Sequence, residues 1–273
     1  MGELFAQRYR LEEELRRGRL TTVFRATDLR EANRAVIVKI LEPAVTERES
    51  EATLRFLREA RILSKLDHPH LVELLEVGQE KRRYYLVTRY VDGRPLSDYA
   101  AGRRLPVEAV LKVAMQITQA LEYVHNRGII HRDIKPSNVI VSNDTRPLAV
   151  KVADFGLARL QDVARLGPAG DQVVGTFAYI APEQAGILPR PVDERADLYS
   201  LGVLLYELLA GQRPFRSDNL AVLLHEQLAK RPPSIRELCP ETPQLLEEIV
   251  FKLMAKGPED RYPSAASLLA DLV

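Results

Sequence analysis

Near Asp92-Gly93 the sequence changes its periodicity, from short runs that suit strands to long stripes that suit helices. Up to about Arg89, the β-branched and aromatic runs Thr22-Val23-Phe24, Ala35 to Leu41 and Tyr84 to Val87 are separated by turn residues and charges, the pattern of an antiparallel sheet. One helix interrupts it: Leu54, Leu57, Ile62, Leu63 and Leu66 recur near helical spacing between Glu49 and Leu66, and Asp67-His68-Pro69 ends the run. Beyond Gly93, Pro106 opens a helix whose Val107, Val110, Leu111, Ala114, Ile117, Leu121 and Val124 form one apolar stripe, closed by Asn126-Arg127-Gly128. Further helices are expected at about 197–210, 218–229, 244–255 and 264–272. The 273 residues therefore read as an α+β fold in two lobes: a small antiparallel β lobe with one helix over 8–91 and a larger helical lobe over 92–273. A cleft between such lobes is where a ligand is expected.

Composition narrows the classes. Hydrophobic residues at 46% and charged residues at 28% exclude a disordered chain. The 39 basic and 38 acidic residues leave a net charge of +1, so no global field recruits nucleic acid or an anionic membrane, and any anion site must be local. The single cysteine, Cys239, rules out an internal disulfide and fits a reducing compartment; it is expected to be a spectator. The five histidines lack zinc-like spacing. The most apolar stretch, Leu198 to Ala210, is interrupted by Glu207 and ends at Gly211, short of the roughly 20 residues that span a bilayer. A cytoplasmic location is expected, alone or as the cytoplasmic part of a longer protein.

The chemistry concentrates in His131-Arg132-Asp133-Ile134-Lys135-Pro136-Ser137-Asn138 and Asp154-Phe155-Gly156. Phosphoryl transfer needs an acceptor for the proton of the attacking hydroxyl, cationic charge on the phosphates and oxygen ligands for a divalent metal. Asp133 suits the first task, Lys135 the second, and Asn138 with Asp154 the third, since magnesium prefers hard oxygen donors.

In this order the residues resemble the catalytic loop and magnesium motif of the eukaryotic-like protein kinases. Lys135 after the catalytic aspartate, and Gly175-Thr176 before Ala181, resemble the serine/threonine branch, and the run from Gly175 to Ala185 is most similar to its bacterial members. The resemblance covers about 8 to 272 and implies the two-lobed protein kinase-like fold. It also implies ATP with magnesium, or manganese in its place, and a protein substrate carrying a serine or threonine acceptor. Lys39 resembles the lysine that holds the α- and β-phosphates, and Glu59 its ion-pair partner. The resemblance assigns the rest of the nucleotide site to Leu15, Gly18, Val23, Ile37, Ile140 and Thr88 at the gatekeeper position, with main-chain groups of Arg89 and Val91 on the adenine. Thr176 is implied to bridge Asp133 and Lys135. The resemblance further implies that Glu183 of Ala181-Pro182-Glu183 pairs with Arg261 and that Asp197 with Gly202 marks a buried helix. Phe155, Leu63, Leu74 and His131 match an internal hydrophobic spine.

Three positions depart from the family. The glycine-rich loop keeps Gly18 but has Arg16 and Thr21 at the other two glycine positions, so the backbone cover of the phosphates is weakened or replaced by charge from Arg16, Arg17 or Arg19. Ile37 stands where alanine usually meets the adenine, which narrows that slot. From Asp154 to Gly175 there is no Ser, Thr or Tyr, so phosphate cannot be added before Thr176. Asp171, or in second place Asp162, is then expected to serve as a fixed partner for Arg132; the alternative is that Asp171 is an exposed loop acid. Two functions follow: an active serine/threonine kinase, or a pseudokinase scaffold with a crowded nucleotide site. A small-molecule phosphotransferase of related fold is disfavoured by Ala181-Pro182-Glu183 and the helices after it.

Overall fold

The computed structural model describes residues 2–18, 21–41, 60, 64–81, 83–143, 148–154, 177–186 and 188–273. The chain divides after Asp92 into two compact units, Met1–Asp92 and Gly93–Val273.

In the first unit, β1 (Leu4–Phe5), β2 (Tyr9–Arg17), β3 (Thr21–Asp28), β4 (Arg34–Leu41), β5 (Leu74–Glu80) and β6 (Arg83–Arg89) form one antiparallel sheet in the order β1-β2-β3-β4-β6-β5. Strand alternation decides what faces what. Val36, Val38 and Ile40 of β4 are buried with Ala26, Tyr85, Val87, Leu11, Phe5 and Tyr9 as the core of this unit. The intervening residues, Ile37 and Lys39, therefore belong to the other face. Arg8 ties the start of β2 to distant strands, with two hydrogen bonds to Asp28 at 2.8 and 2.6 Å and a third to Glu76 at 2.5 Å. The Tyr9 and Tyr85 hydroxyls also donate to Glu76, at 2.9 and 2.8 Å. The helix expected between Glu49 and Leu66 lies almost wholly outside the described residues.

The second unit begins with β7 (Gly93–Pro95), which pairs with β8 (Val139–Ser142), itself paired with β9 (Val150–Val152), all antiparallel. Its helices are α1 (Leu96–Ala100), α2 (Val107–His125), α3 (Arg195–Ala210), α4 (Leu220–Ala229), α5 (Ile235–Leu238), α6 (Gln244–Leu253) and α7 (Ala265–Leu272). The helix beginning after Pro106 runs to His125, and its Val110, Val113, Ala114, Ile117, Leu121 and Val124 form the buried stripe. Helix α4 starts later than the apolar pattern suggests because Asn219 caps it, its Oδ1 accepting the amides of Ala221 at 2.9 Å and Val222 at 3.2 Å. Among the described residues no helix is long and apolar enough to cross a membrane.

Helix α3 is hydrophobic nearly all round because every residue but Arg195 and Glu207 is buried. Gly202 permits this. A Cβ there would stand 2.7 Å from Leu253 Cβ and 3.0 Å from Met254 Cγ, so α3 approaches the end of α6 as closely as backbone allows. Gly202→Ala is expected to destabilise the chain by about 1–3 kcal/mol through overpacking, read as a lower denaturant midpoint with unchanged slope; a midpoint equal to the parent's would show that the contact relaxes freely.

Candidate active site

The site in the second unit is organised by one buried carboxylate. Asp197, in the first turn of α3 and wholly buried, accepts the main-chain N–H of His131 at 2.8 Å and of Arg132 at 2.7 Å. Its Oδ2 also meets Nε2 of His125, at the end of α2, at 2.8 Å. Gln184 holds the next peptide, its Nε2 donating to the Arg132 carbonyl at 2.7 Å. Held at both ends, Arg132 takes φ +67°, a left-handed conformation that costs a non-glycine residue on the order of 1–3 kcal/mol.

His131 is 1% exposed, and its tautomer follows from its neighbours. The Asp133 amide donates to Nδ1 at 3.3 Å, so the ring proton sits on Nε2, which donates to the Ala153 carbonyl at 3.2 Å. Burial holds this imidazole below its ordinary pKa, outweighing the attraction of Asp197 and Asp133. The ring therefore stays a neutral strut between the loop and the end of β9.

That strut leaves Asp133 facing its polar partners. Asn138 Nδ2 donates to Asp133 Oδ2 at 2.7 Å and to the Asp133 carbonyl at 2.9 Å, and Lys135 Nζ meets the same Oδ2 at 2.8 Å. Pro136–Asn138 form a 3-10 turn that leads straight into β8. The Ala153 amide donates to the Asn138 carbonyl at 2.8 Å, which places Asn138 and Asp154 together at the open end of the β8–β9 pair. Asp154 is left-handed at φ +54°. Asn138 commits its Nδ2 to Asp133 and so offers its Oδ1; with the Asp154 carboxylate this makes a pair of hard oxygen donors, a set that fits magnesium rather than zinc. No cluster of three His, Cys, Asp or Glu suited to a metal occurs among the described residues.

Glu183 and Arg261 meet in a wholly buried bidentate pair at 2.6 and 2.9 Å. All five guanidinium donors are used, because Arg261 also reaches the carbonyls of Ala255 at 2.9 Å, Arg195 at 3.1 Å and Lys256 at 3.1 Å. Such saturation is what makes a buried ion pair tolerable. Tyr179 donates its hydroxyl to Glu207, which fixes the segment between. Cys239 is buried with its thiol pushed up in pKa by that burial, away from all of this.

In the first unit the register sets Val23 opposite Lys39 and Lys39 opposite Leu86, and sets Arg25 opposite Ile37 and Ile37 opposite Thr88. Val23, Ile37, Lys39 and Thr88 therefore share the face away from the core. The Arg89 amide donates to the Glu73 carbonyl at 2.9 Å, so this N–H is not what Arg89 offers a ligand. Leu15 lies in the register shift between Glu14 and Arg16 and is 47% exposed. Gly18 closes a tight hairpin, its N–H bonded to the Thr21 carbonyl at 2.9 Å, and Arg17 is paired with Glu14 at 2.9 and 2.5 Å. Val91 follows β6 directly, and Ile140 pairs with Lys151 and Pro95 in β8. Leu74 opens β5.

Glu59, Leu63, Phe155, Asp162, Asp171, Thr176 and Arg19 lie outside the described residues. Among the described residues no acceptor meets the buried Arg132 Nε. Arg25 and Gln184 are among the residues that escaped the sequence reading. Arg25 shares a cross-strand row with Ile37 and Thr88 and stacks 5.0 Å from the Tyr90 ring; its place two residues after Val23 was the available signal. Gln184 had none, since its role comes from a contact across 52 residues.

The protein kinase domain model matches residues 9–272. The chain belongs to the protein kinase domain family. It is 35% identical over 273 residues to the probable serine/threonine-protein kinase PknB of Lactococcus lactis, covering all of this chain and 42% of that protein. It is 39% identical over 276 residues to the serine/threonine-protein kinase PknB of Mycolicibacterium smegmatis, covering 98% of this chain and 43% of the relative. The chain thus spans about two fifths of the length of these curated relatives. Among solved structures it is similar to the Mycobacterium tuberculosis PknI kinase domain, with a TM-score of 0.76 at 27% identity over 99% of this chain and 97% of that one. It is also similar to Rad53 1-466 in complex with AMP-PNP, with a TM-score of 0.78 at 26% identity over 97% of this chain and 65% of the other. These relatives place it with the bacterial-type serine/threonine kinase domains and confirm the two-lobed kinase fold. A kinase domain works with ATP and a divalent metal on a protein substrate.

Removing Glu183 alone strands a buried guanidinium. Glu183→Ala is expected to cost about 3–5 kcal/mol, and Glu183→Ala with Arg261→Met to recover part of that loss in urea unfolding; equal midpoints for the single and double variants would contradict a buried charge penalty.

Proposed function

We propose that this kinase domain transfers the γ-phosphate of magnesium-bound ATP to serine or threonine hydroxyls of proteins, in the cytoplasm and as the catalytic part of a longer chain. The observation that carries the reading is the convergence of Asn138 Nδ2 and Lys135 Nζ on a single oxygen of Asp133, at 2.7 and 2.8 Å. With Oδ2 so committed, Oδ1 is the oxygen left to receive the substrate hydroxyl, orient its lone pair toward phosphorus and take its proton. Lys135, tethered beside that carboxylate, supplies positive charge where the phosphoryl group passes. Lys39, with Glu59 as its partner, holds the α- and β-phosphates, and Thr176 bridges Asp133 and Lys135.

Asn138 Oδ1 and Asp154 hold the metal. When bound, the metal draws charge from the phosphate oxygens and fixes them for in-line attack. Val23, Ile37, Thr88, Leu15, Gly18 and Ile140, with main-chain groups of Arg89 and Val91, line the nucleotide site. Asp171 as a fixed partner of Arg132 would dispense with activation by loop phosphorylation. Catalysis on this account is positioning and electrostatics rather than covalent chemistry.

Two observations favour the scaffold alternative. The Gly18 N–H is turned inward to Thr21, and Ile37 occupies the row with Arg25 and Thr88, so both the phosphate cover and the adenine slot are reduced.

Transfer of labelled γ-phosphate from ATP to a generic basic protein separates the two. The kinase reading expects label with magnesium or manganese, its loss with a chelator, and a fall of about a hundredfold or more in Asp133→Asn. Absence of label in the parent with either metal, together with ATP binding that Ile37→Ala strengthens, would establish the scaffold.

A further inference from the structure

From Phe177 to Glu183 the chain leads to the buried ion pair, and its main chain is held by a residue far away in sequence. Gln227, in the last turns of α4 and 1% exposed, donates from Nε2 to the carbonyls of Phe177 at 2.9 Å and Ala178 at 3.0 Å. The Phe177 carbonyl also accepts the Ile180 amide at 3.2 Å, so a turn of four residues is pinned at its first carbonyl. Phe177, Ala178, Ile180 and Ala181 bury their side chains, which leaves this segment little but main chain to present outward.

The hold is itself anchored. Lys256 Nζ donates to the Gln227 carbonyl while stacking 4.7 Å over the Phe215 ring, and the Lys256 carbonyl accepts Arg261 Nη2 at 3.1 Å. Arg261 closes on Glu183, which is joined through the chain to Phe177. Gln227, Lys256, Arg261 and Glu183 thus form a closed ring of contacts around the 177–183 segment. On the far side, Gln184 carries the position of that segment to Arg132, next to Asp133.

We infer that Gln227 is a positioning residue for the protein substrate: by fixing the Phe177–Ala178 main chain, it sets the register in which an extended peptide brings its serine or threonine hydroxyl to Asp133. The inference rests on the kinase reading above. It assigns to α4 a part in substrate handling, through a side chain that never touches the nucleotide or the metal. Among the described residues no donor meets the buried Gln227 Oε1, so within them the amide is oriented by its two donations.

The test uses the chain as it stands, with Gln227→Met, which keeps the length and loses both polar atoms, and Gln227→Glu, which replaces the donor by an acceptor. Amide hydrogen exchange over Phe177–Ile180 and steady-state kinetics against ATP and a serine peptide are measured for each. The inference expects exchange at Ile180 to rise at least tenfold while amides of α3 keep the parent rate, and the peptide KM to rise about tenfold with the ATP KM within twofold. Unchanged exchange, or equal rises in both KM values, would overturn it. If one variant does not fold, the other decides by the same criteria. A parent that transfers no phosphate overturns the kinase reading and the substrate role together, and exchange at Ile180 then still shows whether Gln227 holds the turn.

Discussion

A carboxylate without solvent contact holds the catalytic loop in place. Asp197 receives two consecutive amides of that loop and one histidine from the end of α2, and it stands in the first turn of α3, the most deeply packed helix among the described residues. Burying a charge in this way is unfavourable unless its lone pairs are filled. Here they are filled by the groups whose positions matter, so the requirement to satisfy Asp197 is also the requirement to place His131 and Arg132. The left-handed turn at Arg132 persists because Asp197 and Gln184 over-determine it. Asp133 follows immediately and inherits its direction.

The rest of the site extends from this point by short steps. Neutral His131 braces the loop against Ala153, the next residue is Asp154, and the β8–β9 pairing returns the chain to Asn138. Asn138 then reaches back to Asp133. Asp133, Lys135, Asn138 and Asp154 are thereby collected on one loop and one hairpin, which on the proposed reading suits a reaction whose barrier is lowered mainly by orientation. Glu183 and Arg261 perform the corresponding task for the following segment, with every guanidinium hydrogen engaged.

Local patterns in the sequence were enough to reveal most of this architecture. The alternation in β4 separates Val36, Val38 and Ile40 from Ile37 and Lys39, and Val110, Ala114, Ile117, Leu121 and Val124 of the expected stripe are buried in α2 while Val107 and Leu111 at its margin are only half-buried. The spacing from His131 to Asn138 and on to Asp154 is legible because those residues sit on one loop and one hairpin. What stayed hidden depends on contacts across long separations. Gln184 and Gln227 are unremarkable amides until the fold sets them against carbonyls 52 and about 50 residues away. The inward turn of the Gly18 amide is likewise a matter of hairpin geometry that composition does not announce. The resemblance marks Asp197 and Gly202 in α3, and the packed fold adds what each does there: Asp197 takes two loop amides, and Gly202 admits Leu253 and Met254.

The account stands or falls on Asp197 acting through the loop rather than through the stability of the helical unit. The measurement is the rate of phosphate transfer by Asp197→Asn at saturating ATP, beside its helical circular dichroism and its ATP affinity. An asparagine keeps the shape but turns a donor toward amides and an imidazole that need an acceptor. The account predicts a rate lowered by about a hundredfold or more, with helicity retained and ATP affinity within twofold of the parent. A folded variant that transfers phosphate at the parent rate would contradict it.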